Sequence, residues 1–248
     1  MVAIKLGYTE IAQLTALPKP ILAATALLYD ANFAEADIMG RRYLQEPKRS
    51  IEGLLLLAEI AVELKAVSEA EFILETAVEL APTNLKVKYQ LFNIYCKLGS
   101  FAKALALANT LTKQAPQNTF YQVAKATALV GVGKLEPAII IYKTILTTNK
   151  PQANVYILLG HAYKTQGDII ASVAAYQQAY IIEPYCGDAY WSLANTKTYV
   201  FSATEIEKML AGTKHQSVSQ TDKVHLHFAL GKAYEEQPIS CLSYTSPR

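Results

Sequence analysis

The chain has 248 residues, 52% of them apolar, and a formal net charge of +2. So even a balance argues against an obligatory polyanion partner such as a nucleic acid, and no apolar stretch approaches the roughly 18 residues that a membrane span requires. Three scattered cysteines, Cys96, Cys186 and Cys241, are too few for a disulfide framework and fit a reducing cytoplasm.

Residues 1–16 form an N-terminal segment, in which Met1 to Tyr8 lacks the charged start and long apolar run of a secretory signal. From residue 17 the chain repeats itself every 34 residues. In windows opening at 17, 51, 85, 119 and 153, the twentieth residue is Ala36, Ala70, Ala104, Ala138 and Ser172, all small. The seventeenth is Phe33, Val67, Phe101, Leu135 and Ile169, all apolar, and Pro82, Pro116 and Pro184 close three of the windows. A fixed period of this kind marks stacked units, none of which buries its own apolar face alone.

The last of these windows, 153–186, shows how each divides. Ala153 to Gln166 carries Tyr156, Leu159, Gly160 and Tyr163 on one helical face. After Gly167-Asp168, Ile170 to Ile182 carries Val173, Tyr176 and Ala179 before Pro184. Spacings of three and four predict two helices, with a glycine turn between them and a proline stop. Gly99, Gly133 and Gly167 mark that turn in three successive windows, and Pro137 falls in a first helical turn, where a missing N–H costs little. Residues 187–236 read as degenerate continuation, and 237–248, with two prolines and no helical period, as an irregular tail.

Tyr156-x2-Leu159-Gly160-x2-Tyr163, followed by Ser172-x3-Tyr176, Ala179 and Pro184, resembles the tetratricopeptide repeat. Residues 51–82 and 85–116 are similar through Leu57-Ala58, Ala70, Ala77 and Pro82, and through Leu91, Tyr95, Ala104 and Pro116. The resemblance implies an all-α fold, a right-handed α-α superhelix of antiparallel helix pairs, with five repeats over 17–186. A narrower resemblance covers Ala189 to Tyr199 and Asp222 to Ala233. These segments are similar to the end of the N-terminal tetratricopeptide array in bacterial sulfotransferases. That family's catalytic domain binds 3′-phosphoadenosine-5′-phosphosulfate through a phosphate loop, which nothing here matches.

Several features invite chemistry. Gly131-Val132-Gly133-Lys134 has Ala128 and Leu135 where a phosphate loop needs Gly and Ser or Thr, and it falls between two helices, so it reads as a turn. His225 and His227 stand about 200° apart around a helix, unsuited to one metal. The cysteines never reach metal-ligand spacing. Arg41, Arg42, Lys48 and Arg49 follow a helix C-terminus, where cations are favourable, and read as a solvated end. No catalytic residue, cofactor or metal ligand is expected.

The tetratricopeptide resemblance implies that first helices line a concave face through their second, fifth, ninth, twelfth and thirteenth positions. On this chain that face yields Glu59, Tyr89, Asn93, Lys97, His161, Lys164, Trp191, Asn195 and Tyr199 as candidate partner contacts, with Trp191 equally placed to pack between helices. Aromatics, amides and charges together suit a peptide groove. The Lys/Asn pairs with which related domains hold a chaperone's C-terminal carboxylate are missing, since Leu55/Glu59, Tyr89/Asn93, Val123/Thr127 and Ile157/His161 stand there. Glu52, Glu59 and Glu63 would repel a carboxylate.

Two functions follow. One is a non-catalytic scaffold for a protein or peptide segment. The other is the docking arm of a sulfotransferase whose catalytic domain is missing by truncation or frameshift. Val224 to Glu236 reads as the first helix of a repeat without its partner. Leu226, Leu230, Ala233 and Tyr234 cannot all turn inward, so this end is expected to fray or to be covered by a second copy in a homodimer.

Overall fold

A computed structural model describes residues 17–44 and 50–236. Thirteen α-helices and no strand occur among the described residues, an all-α fold as the periodicity predicts. The readings placed on residues 1–16, on Lys48 and Arg49, and on the tail from 237 with Cys241 lie outside the described residues. The chain divides into two compact units between Val132 and Gly133.

The first unit holds α1 (Lys19–Tyr29), α2 (Phe33–Leu44), α3 (Ile51–Glu63), α4 (Val67–Leu80), α5 (Leu85–Lys97), α6 (Phe101–Gln114) and α7 (Thr119–Gly131). Each helix packs on the next, and α1 also reaches α3 as α5 reaches α7. The second unit holds α8 (Leu135–Thr148), α9 (Ala153–Gln166), α10 (Ile169–Ile182), α11 (Gly187–Ala194), α12 (Ala203–Lys214) and α13 (Gln220–Glu236). Here α8 to α11 pack in succession, α13 lies against α11 and α12, and α11 touches α13 far more than it touches α12.

Local sequence explains the helix boundaries. The last window position supplies caps: Ser50 accepts from Gly53 N, Asn84 from Lys86 N and Val87 N, and Asn118 from Phe120 N and Tyr121 N. Such side chains satisfy amide groups that a helix start leaves open. The fifteenth position is left-handed in every window. Gly99, Gly133 and Gly167 have φ of 70°, 78° and 91°, and Ala31 and Lys65 take 60° and 64° at the equivalent places. The geometry of the turn therefore overrides residue preference in the first two windows, at a cost of about 1–2 kcal/mol for each non-glycine residue.

The small twentieth position is fully enclosed in every window. Ala36, Ala70, Ala104, Ala138 and Ser172 are all 0% exposed. Gly160 has the same role across the α9–α10 contact, where an added Cβ would lie 2.4 Å from the Tyr176 ring.

The end of the second unit differs from expectation. Leu226, Leu230 and Ala233 are buried among Tyr190, Leu193 and Met209, so α13 is packed along one face rather than left without a core. Tyr234 stays 49% exposed, with Val224 and Phe228. The contact that seats α13 was not legible from spacing. Gly187 N donates to Asp222 Oδ1 at 3.0 Å, and a Cβ on Gly187 would fall 2.4 Å from the Asp222 carbonyl oxygen.

Two substitutions test these points. Lys65→Gly should raise stability by about 1 kcal/mol by removing the left-handed strain. Gly187→Ala should lower it by about 1–3 kcal/mol through backbone overlap. Urea midpoints measured by far-UV circular dichroism read both, and a neutral Gly187→Ala would show that α13 is not seated through this contact.

Candidate partner-binding face

In the first unit the predicted face is built by α3 and α5. Between them lies a pocket of about 160 Å³ lined by Ala58, Glu59, Val62, Leu74, Gln90, Asn93, Ile94 and Lys97. Its base is apolar and fixed: Ala58, Leu74 and Ile94 are buried, and α4 contributes Leu74 from behind. Its rim is polar, with Glu59 on α3 facing Asn93 and Lys97 on α5. Three of the nine predicted contacts are thus brought to one place. Glu59 is largely open to solvent, yet the concavity strips its carboxyl of part of its water. That desolvation, with Glu63 adjacent, pushes its pKa up, against the pull of Lys86. Glu52, a predicted neighbour, instead accepts from Ser50 Oγ at 2.5 Å and is held below the usual carboxylate value.

Tyr89 stands one turn before Asn93. It is half-buried, stacked on Phe92 with ring centroids 5.9 Å apart and tilted against Tyr121 at 5.7 Å. Its ring therefore serves the α5–α7 contact as well as the face. Burial raises its phenol pKa, so the hydroxyl stays protonated and able to donate.

In the second unit the predicted residues are bonded mostly to the protein itself. His161 Nδ1 lies 2.8 Å from Tyr176 Oη. Burial lowers the pKa of His161 and the effect of Asp188 opposes this, so the ring is neutral near pH 7 and Nδ1 can accept the phenol hydrogen. Lys164 Nζ donates to the Asn195 carbonyl at 3.0 Å, and Asn195 Nδ2 donates to the Trp191 carbonyl at 2.9 Å. Trp191 is half-buried, stacked on His225 at 5.6 Å and near Phe228 at 6.4 Å. Tyr199 donates to Glu205 and accepts from Gln177 Nε2.

Glu205 is the centre of a network that sequence reading missed. It is 7% exposed, accepts from Tyr180 and Tyr199, and closes a capping box with Ser202. The signal was available in Ser202-x2-Glu205, the spacing of that box. Gln90 was missed for another reason: it is the sixth window position, outside the stripe used to choose contacts.

The remaining chemical candidates are structural. Gly131 ends α7 against the Phe101 ring, and Gly133 makes a left-handed turn into α8, which is a helix–turn–helix junction. Arg41 pairs with Asp37 and with Glu69, each at 2.8 Å, and ties α2 to α4. Burial pushes the Cys96 and Cys186 thiols up to about 11, which keeps them protonated and weakly nucleophilic. No group of His, Cys, Asp and Glu fit to hold a metal occurs among the described residues. No helix among them is long and apolar enough to cross a membrane.

Residues 61–129 and 153–186 match family models described as tetratricopeptide repeat. These segments are tetratricopeptide repeats. Solved structures agree on the fold. MamA 41-end from Desulfovibrio magneticus RS-1 matches at a TM-score of 0.60 and 15% identity, over 68% of this chain and 98% of its own. TTC0263, a thermophilic tetratricopeptide protein in Thermus thermophilus, matches at 0.58 and 19%, over 72% and 97%. MamA from MSR-1 matches at 0.55 and 22%, over 67% and 93%. Comparison with curated protein sequences gives no match. The tetratricopeptide fold is one typical of protein-interaction proteins, and nothing in these likenesses bears on the sulfotransferase resemblance.

The Glu205 network predicts an acid sensitivity. Burial raises the carboxyl pKa, but the hydrogen bonds from Tyr199, Ser202 and Tyr180 together outweigh it, and the native value lies below the ordinary 4.5. Its stabilisation is therefore complete above that ordinary value and is lost as pH falls through the lowered native one. Glu205→Gln should flatten the dependence of the urea midpoint on pH below 4.5, and an unchanged slope would mean that other carboxylates control acid unfolding.

Proposed function

We propose that this protein is a non-catalytic interaction scaffold that takes a protein or peptide segment on the first-helix face of its tetratricopeptide repeats. One observation carries this: Glu59, Asn93 and Lys97 surround an apolar-based pocket and make no hydrogen bond or ion pair among the described residues. Polar groups held beside buried apolar surface are the composition of a recognition site. Tyr89 contributes an aromatic anchor next to them. In the second unit His161, Lys164, Trp191, Asn195 and Tyr199 hold the equivalent stripe positions and serve its own packing, since their hydrogen bonds and stacking are largely internal.

The unpaired thiols of Cys96 and Cys186 agree with a cytoplasmic location. The sulfotransferase-arm reading rests on the sequence resemblance alone.

A pull-down with wild type and a folded Tyr89→Ala/Asn93→Ala variant tests the scaffold. Loss of a specific partner is expected, at about 2 kcal/mol or more for an anchor residue. Equal recovery would move the site elsewhere, for instance to the outer face of the second helices, where Ile38 and Phe72 are 63% and 71% exposed.

A second copy is a further proposed partner, at α13. Val224, Phe228 and Tyr234 are exposed there, and a Cβ on Gly231 would meet nothing within 4 Å. Sedimentation over a range of concentrations should show a dimer that Phe228→Lys abolishes, and a monomeric wild type would remove the dimer while leaving the scaffold intact.

A further inference from the structure

The pocket between α3 and α5 also constrains what binds there, given the scaffold function just proposed. Its volume of about 160 Å³ falls below the roughly 300–1,000 Å³ of sites that hold drug-sized ligands. It is the size for one side chain. Its base and wall, Ala58, Val62, Leu74 and Ile94, offer no hydrogen-bonding side chain, so that side chain is aliphatic.

Charge then selects the neighbouring residue. The α3 side presents Glu59 and Glu63 together; neither carboxylate is in an ion pair among the described residues, and Lys86 on α5 offsets part of the charge of Glu59 without pairing with it. Glu52 stands two turns before Glu59 on the same helix. Lys97 occupies the opposite rim, so a basic ligand group is attracted to the α3 side and repelled from the α5 side. A carboxylate on the ligand would meet Glu59 and Glu63 instead.

We propose that the α3–α5 pocket is a subsite for an aliphatic side chain flanked by a lysine or arginine, in an extended segment whose basic group lies over Glu59 and Glu63. Gln90 and Asn93 sit on the rim, where an amide can both donate to and accept from the segment's backbone. The subsite thereby distinguishes basic-aliphatic segments from the acidic C-terminal peptides that the groove composition already disfavours.

The test uses the full chain, immobilised and panned against a displayed library of random linear peptides. Enrichment of Leu, Ile, Val or Met next to Lys or Arg is expected. The best peptide, resynthesised, should bind Glu59→Gln and Glu59→Lys about tenfold or more weakly, as for loss of one charge-assisted hydrogen bond. Changing its basic residue to Glu should have a similar effect. Glu59 is exposed, and far-UV circular dichroism checks that both variants keep the fold. If enriched peptides lack a basic residue, or ignore Glu59→Lys yet depend on Asn93, the subsite is wrong and the groove survives. If peptides bind independently of Glu59, Asn93 and Tyr89, or none is enriched, the groove falls and the subsite with it.

Discussion

The helix pairs of the first unit close on side chains of almost no bulk, and so does the α9–α10 pair. Ala36, Ala70, Ala104 and Ser172 are wholly buried where the helices of one pair meet. Axes held about 8–10 Å apart leave no room for more. The same economy governs a second pair of positions, the eighth and twenty-fourth, where bulk is exchanged: Ala58 with Leu74, Phe92 with Ala108, Gly160 with Tyr176. In those three windows the summed bulk is similar although neither residue repeats; in the first window Ala24 and Gly40 are both small, and Leu57 of the next pair lies against Gly40. This is how a core packed to crystal-like density tolerates units that share so little sequence.

Much of the fold was legible because it depends on period. A 34-residue spacing of small residues defines where helices approach, and asparagines at Asn84 and Asn118 define where they start. What escaped was whatever broke the period. The turn positions Ala31 and Lys65 are left-handed without glycine, since a turn fixed by packing on both sides leaves the residue no other conformation. The short α11 and its contact with α13 escaped as well. They depend on one close approach, Gly187 against the Asp222 backbone, which is a tertiary fact.

The candidate face was legible by position and not by availability. A helical stripe says which side chains point the same way, and Glu59, Asn93 and Lys97 do meet. It does not say which polar groups are already satisfied. In the second unit His161, Lys164, Asn195 and Tyr199 lie on the predicted stripe, yet tertiary neighbours take their hydrogen bonds. A residue's capacity for a partner is what remains after the fold has taken its share, and that remainder is larger in the first unit.

The single tryptophan has a practical consequence. Trp191 is stacked on His225, so its emission reports the α11–α13 junction and nothing in the first unit. Backbone circular dichroism reports the helical residues of both units together. Fluorescence therefore follows one junction of the second unit while dichroism follows both units, and a gap between their unfolding curves shows that the two units do not melt as one.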